Sequence, residues 1–299
     1  MKKESSLGIM AAIASFFLWG VLPLYWKALT KISALEILCH RIFWAMIFLG
    51  ILVHFGKKWR DVELLIRDRK NLRLLCASTL LVACNWFIYI WAVNNHHILQ
   101  ASLGYYINPL LNIFFGVFLF KEKLSKKQWA AIALTFFAVC FLTFQSGVIP
   151  SIALVVAGTF CIYGTIHKLM ATQAIATLFV ETAILSLPAL IYLLTRPSGG
   201  HFFEDAWTIR FLLIGAGVVT AIPLLLFVYA MNKVKLATLG FLQYLSPTGQ
   251  FICGVLLFGE ILNSTWIITY VLIWSAVILY LISDLRPRQL RHIKDGELQ

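Results

Sequence analysis

Apolar residues run through this chain in long blocks separated by short polar clusters. A helix needs about 20 apolar residues to cross the hydrocarbon core of a bilayer. Blocks of that order fall around 7–26, 35–55, 73–93, 98–120 and 128–145. Five more follow around 149–167, 175–195, 208–231, 236–258 and 264–283. The pattern predicts an all-α membrane protein of ten transmembrane helices, with short connections that set neighbours antiparallel. The first block extends to about Tyr25 and is followed by many others, so it reads as a retained helix and not a cleaved signal. Residues 56–72 place Trp59, Val62, Leu65 and Ile66 at helical spacing among basic residues, the pattern of a short helix lying on anionic lipid. The segment PSGGHFFEDA from Pro197 is the longest outer connection, and the chain beyond 284 is polar.

Composition agrees with the blocks. The chain is 61% hydrophobic and 13% charged, with a mean hydropathy of +0.85. A soluble domain stays near half apolar and about a quarter charged. The net charge of +12 lies in clusters between apolar blocks, without an aromatic and basic face. That placement argues against nucleic acid and for membrane lipids as partners, through orientation and anionic headgroups. If both termini are cytoplasmic, 20 of the 25 Lys and Arg residues fall on the inner side. Lys27, Lys31, Arg196 and Arg210 fall outside, and Arg41 sits within a span. The six cysteines form no CxxC pair and lie in apolar runs, so no metal, disulfide framework or other cofactor is expected.

A shift of 138 positions superposes the segment ending at Glu122 on the one ending at Glu260. From 92 to 122, nine of 31 pairs are identical, among them Asn94/Asn232, Tyr106/Tyr244, Pro109/Pro247, Gly116/Gly254 and Glu122/Glu260. Shared apolar composition does not readily bring Asn, Tyr, Pro, Gly and Glu into one register. The chain therefore divides into a first repeat, 1–147, a second repeat, 148–284, and a tail, 285–299. Five is odd, so the second copy enters the bilayer from the opposite side, a plan that recurs in secondary transporters.

The segments PLYWKAL at Pro23, EILCHRIFW at Glu36, NWFIYIWAVN at Asn85, QASLGYYINPL at Gln100 and LQYLSPT at Leu242 resemble the RarD group of EamA-type permeases. Pro109, Glu122, Gln128 and Trp129, with Pro247 and Glu260, resemble the wider drug/metabolite transporter superfamily. The resemblance covers essentially the whole chain. It implies the drug/metabolite transporter fold of two inverted five-helix repeats, a bacterial inner-membrane location and a small-molecule substrate. It also brings an association with chloramphenicol.

An ionisable group within a span costs roughly 2.5–3.5 kcal/mol on insertion scales, so each needs an account. Glu36 and His40 share one face of span 2, while Arg41 points about 100° from His40; at the outer end of the span, solvation is a sufficient account of Glu36. Glu181 lies at a corresponding depth on span 7, and an Arg41–Glu181 ion pair is one reading; separate partners for each is the other. Glu36, His40 and Glu181 are also candidate proton carriers. Lys27 and Lys168 end equivalent spans, either snorkelling to headgroups or binding an anionic solute.

Asn85, Trp86 and Tyr89 on span 3, Tyr105, Tyr106 and Asn108 on span 4, and Gln243 and Tyr244 on span 9 are cavity candidates, with Trp19, Tyr25 and Tyr163. They either line a pocket for a semi-polar molecule or hydrogen-bond between helices. Pro109 and Pro247 are hinge candidates, and Glu122 and Glu260 either gate or lock loops or are simply solvated at their helix ends. Trp59, Trp207 and Trp266 read as interface anchors. No HExxH, GxSxG or phosphate-cradling loop is present, which leaves a membrane enzyme or a channel as the rivals to a transporter. A homodimer is left open.

Overall fold

In hydrocarbon every backbone N–H and C=O must be satisfied within the chain, which makes the helix the local solution for such apolar blocks. The computed structural model describes residues 2–29, 31–94, 98–147, 151–196, 200–204, 206–258 and 264–285, and no strand occurs among them. The helices of the first half are α1 (Lys2–Lys27), α2 (Ala34–Phe55), α3 (Trp59–Arg67), α4 (Arg69–Asn94), α5 (Ile98–Phe118) and α6 (Lys126–Ser146). Those of the second are α7 (Ser151–Met170), α8 (Ala174–Leu194), α9 (His201–Glu204), α10 (Trp207–Lys233), α11 (Leu236–Gln243), α12 (Leu245–Phe258) and α13 (Ser264–Leu285).

Among the described residues, eight helices are long and apolar enough to cross a membrane: α1, α2, α4, α6, α7, α8, α10 and α13. Helix α5 carries a shorter apolar run, Leu103–Phe118. The block at 236–258, read from sequence as one span, is divided at Tyr244 into α11 and α12. Pro247 has no N–H to return to the carbonyl of Gln243, and its ring crowds that carbonyl, so the helix stops there. Pro109, its counterpart, lies inside a continuous α5. Helix α3 forms where the basic amphipathic segment predicts one. It buries Val62 and Leu65 and leaves Leu64 and Ile66 exposed.

Helix α2 packs on α8 and α10, α1 on α10 and α12, and α7 on α4 and α5, with α6 against α13. Large apolar side chains such as Phe17, Phe87, Phe144, Leu187 and Leu256 point outward and are exposed, as lipid-facing residues are. Apolar burial gives no preference between lipid and a neighbouring helix, so close backbone approach carries much of the association. At Gly20 and Gly249 the backbones of α1 and α12 nearly touch: a Cβ on Gly249 would lie 2.8 Å from the Gly20 Cα. Around Gly158, by contrast, nothing lies within 4 Å of an added Cβ.

Replacing Gly249 with Ala should therefore separate α1 from α12 and cost about 1–3 kcal/mol, the usual range for overpacking. Gly158→Ala should be neutral or stabilising. Thermal unfolding of the two purified variants in detergent measures both, and equal melting temperatures would contradict the close-approach account.

Candidate functional site

The polar groups inside the spans fall into separate clusters. At the start of α2 the Ser33 hydroxyl accepts the Glu36 N–H at 3.3 Å and starts the helix. The Glu36 carboxylate is fully buried, so solvation at a helix end does not account for it. Its Oε1 accepts the His201 N–H at 2.9 Å, and its Oε2 lies 3.0 Å from His201 Nδ1 and 3.4 Å from Arg196 Nη2. Gly200 has φ +70°, and a Cβ there would stand 2.5 Å from the carboxylate. Glu36 thus ties the segment between α8 and α10 down onto α2. One turn further, His40 stacks on Phe202 at 5.2 Å, and both its ring nitrogens are buried without a hydrogen-bond partner.

Arg41 points elsewhere. Its Nε donates to Thr220 Oγ1 on α10 at 2.9 Å, and Thr220 in turn donates to the Ala216 carbonyl. The guanidinium stacks on Trp26 at 4.8 Å and Trp86 at 5.5 Å. Glu181 is on the far side of α8, facing α4 and α7. It accepts from the Ser78 hydroxyl, from Tyr163 at 3.2 Å on Oε2, and lies 3.0 Å from His167 Nε2. The Arg41–Glu181 ion pair read from sequence is therefore absent. Helices α2 and α8 do pack together, but the arginine reaches Trp26 of α1, Trp86 of α4 and Thr220 of α10, and the glutamate reaches Ser78 of α4 and Tyr163 and His167 of α7.

The amides are occupied by packing. Asn85 donates to the Val156 carbonyl at 2.7 Å and to Thr159 at 2.9 Å, joining α4 to α7. Asn108 donates to the Ala157 carbonyl at 2.7 Å, and Asn112 joins Asn108 at 3.1 Å to Gln243 at 2.7 Å. Tyr106 meets Tyr270 hydroxyl to hydroxyl, and Tyr244 donates to the Tyr106 carbonyl at 3.0 Å. Tyr25 donates to the Leu212 carbonyl. Trp19 packs on Phe227 at 5.5 Å and edge-on to Phe160 at 6.0 Å. Trp86, Tyr89 and Tyr105 remain half-buried beside Arg41. Trp266 is less a belt anchor than a neighbour of Tyr106, at 5.8 Å.

At the opposite end Glu122 clamps the start of α11, accepting Leu236 N–H at 2.7 Å and Ala237 N–H at 3.0 Å. Lys168 does not snorkel; it donates to the carbonyls of Met231 at 3.1 Å and Val234 at 2.6 Å and sits over the Phe120 ring. Lys27 is exposed at the end of α1. Glu260 lies outside the described residues. A cleft of about 760 Å³ opens on this side between α3, the start of α4 and the end of α10, lined by Asp61, Asp68, Asn232 and Lys233 among others. It contains none of the residues predicted to line a cavity.

His167, Ser78, Thr220, His201 and Trp26 did not stand out in the sequence. A lone hydroxyl in an apolar run carries no periodic signal, and His167 reads as a helix-end base beside Lys168. Trp26 alone could have been chosen, as the aromatic neighbour of Tyr25. Glu181→Ala should strand Tyr163, His167 and Ser78 without their acceptor and cost about 3–5 kcal/mol, as breaking a buried pair does. Asn85→Leu should cost about 1 kcal/mol, since interhelical hydrogen bonds in membranes average well below that each. Unfolding of both variants in mixed micelles checks the order, and an Asn85 variant weaker than the Glu181 variant would reverse it.

The family model of the EamA-like transporter family matches residues 6–144. An uncharacterized transporter of Vibrio cholerae is 40% identical over 287 residues, covering 95% of each chain. Protein RarD of Salmonella typhi is 39% identical over 280 residues, covering 93% of this chain and 95% of its own. A solved crystal structure matches with a TM-score of 0.71 at 19% identity, over 94% of this chain and 99% of that one, a likeness of fold alone. With this similarity, and with apolar helices throughout, the chain is a multi-pass membrane transporter and belongs to the EamA-like transporter family as a RarD-type permease.

Proposed function

We propose that the chain is a secondary transporter that moves a small metabolite or drug-like molecule across the bacterial inner membrane by alternating access. In this reading ten spans form two inverted five-helix repeats, 1–147 and 148–284, and both termini are cytoplasmic. Helices α5 and α11–α12 complete the ten. The observation that carries it is the hydrogen bond from Tyr244 to the Tyr106 carbonyl, two residues 138 positions apart. Repeat-related residues of a two-fold arrangement touch only near its axis, so the contact favours an axis between α5 and the α11–α12 break.

Element bounds and packing support the same reading. Shifted by 138, the ranges of α4 and α6 fall on 207–232 and 264–284, within a residue of α10 and α13. The contacts exchange in kind: α1 with α10 mirrors α7 with α4, and α5 with α7 mirrors α12 with α1. Two halves that pack in interchangeable ways can form inward-open and outward-open states of similar energy. Pro109 and Pro247 flank the tyrosine contact and are the hinge candidates. Glu122 and Glu36, which hold opposite ends of the bundle, are the locking groups. Glu36, His40 and Glu181, with its neighbour His167, are the groups through which protons could be coupled.

Proteoliposomes test the proposal. Purified protein should give saturable uptake that is accelerated by preloaded unlabelled solute, with ligands found first by thermal-shift screening of metabolites, amino acids and antibiotics, chloramphenicol included. A pH gradient that changes the accumulated level would add proton coupling. Linear flux without counterflow would make the protein a channel, and turnover in detergent without a sealed compartment would make it an enzyme.

A further inference from the structure

Glu181, Glu36, Lys168 and Glu122 each hold at least two internal hydrogen bonds, and Arg41 holds one. A guanidinium carries five N–H donors. Thr220 takes the one on Nε, and among the described residues no carboxylate lies in ion-pair distance of Arg41. Seven residues into α2, the group lies about 10 Å along that helix from its start. A cation at such depth is expensive unless something answers its charge. Its remaining edge is not sealed by protein, because Arg41 is half-buried rather than buried.

The rings around it are in the same condition. Trp26, Trp86, Tyr89 and Tyr105 are all half-buried. On α4 the lipid-facing residues include Phe87 and Trp91, and Tyr89 lies about 200° from each of them. On α5 the exposed Phe114 is about 180° from Tyr105. The partial exposure of Tyr89 and Tyr105 therefore looks into the bundle and not into lipid. Helices α1, α2, α4, α5 and α10 thus bring two indoles and two phenols, all partly exposed, around one cation that no carboxylate answers.

We propose that the substrate binds among these rings and that the terminal nitrogens of Arg41 hold its carboxylate. The inference deepens the transport reading and rests on it. Arginine's planar fork matches a carboxylate with two parallel hydrogen bonds. One cation balances a monoanion, whereas a phosphate monoester would leave a second negative charge uncompensated among apolar helices. The aromatic wall selects a flat or apolar body on that carboxylate.

The test is titration calorimetry of the full-length protein in a neutral detergent with benzoate, phenylacetate and indole-3-acetate, each beside its primary amide. Wild-type protein should bind at least one acid and bind its amide about 10- to 100-fold more weakly, the worth of one charged hydrogen-bonded contact. Arg41→Met should lose the acid by a similar factor, and Arg41→Lys, which keeps the charge without the fork, should fall between. Without ligand, Arg41→Met should melt no lower than wild type, since the desolvation of a half-buried cation offsets its one hydrogen bond and ring contacts, and Thr220 keeps its bond to the Ala216 carbonyl. Equal binding of acid and amide, no acid binding by wild type, or a less stable unliganded Met variant would each overturn the assignment. Phosphatidylglycerol that occupies the site and excludes every acid would give it to a lipid headgroup and also overturn it. Counterflow of a neutral solute in proteoliposomes would leave the transport reading standing in any of these cases, whereas absence of all saturable uptake would remove that reading itself.

Discussion

Helix α10 is tied to the rest of the molecule at its beginning, along its length and at its end by polar groups of other helices. The strap leading into it is held by Glu36. Tyr25 and Ser15 of α1 donate to its Leu212 and Pro223 carbonyls, and Arg41 of α2 reaches its Thr220. Lys168 of α7 closes its last carbonyls. In hydrocarbon these bonds have no water to compete with them; Thr220, which also donates to the Ala216 carbonyl, keeps a partner if Arg41 is lost. Apolar contact alone would let α1 and α2 slide along α10; the polar contacts fix their register.

The turn after α10 shows how the same constraint handles charge. Unpaired N–H groups at a helix start carry partial positive charge, and unpaired carbonyls at a helix end carry partial negative charge. Lys168 takes the end of α10 and Glu122 takes the start of α11, only a few residues apart. A direct Lys–Glu bridge would have left both backbone ends unsatisfied. Placing the turn between the two charges satisfies all four partners, and each cap contributes about 0.3–2 kcal/mol depending on burial.

Much of the helical plan was legible because periodicity and block length are local properties. The stop near Pro247 was not, because the same missing N–H at Pro109 leaves α5 continuous. Partners were not, because a sequence says which residues are polar but not which way each helix is turned. Arg41 and Glu181 were singled out as ionisable groups on neighbouring helices, yet each takes its partners from other helices. Asn85, Asn108 and Gln243 looked equally suited to a pocket and to packing, and backbone carbonyls of α7, invisible to any side-chain pattern, took the first two. Glu36 was undervalued for a similar reason: its partner, the His201 N–H, belongs to a segment with no apolar signal.

The packed helices α2 and α8 carry ionisable groups of opposite sign, and the protein treats them differently. Glu181 is buried and has three side-chain partners, Ser78, Tyr163 and His167, which fill the capacity of a carboxylate well enough that nothing further is required of it. Arg41 has one hydrogen bond and two ring faces. A satisfied buried charge specifies packing, because any movement of its partners strands it. A partly exposed cation with a single hydrogen bond leaves room for a ligand to supply the rest, so the proposed chemistry belongs at Arg41 and not at the satisfied Glu181.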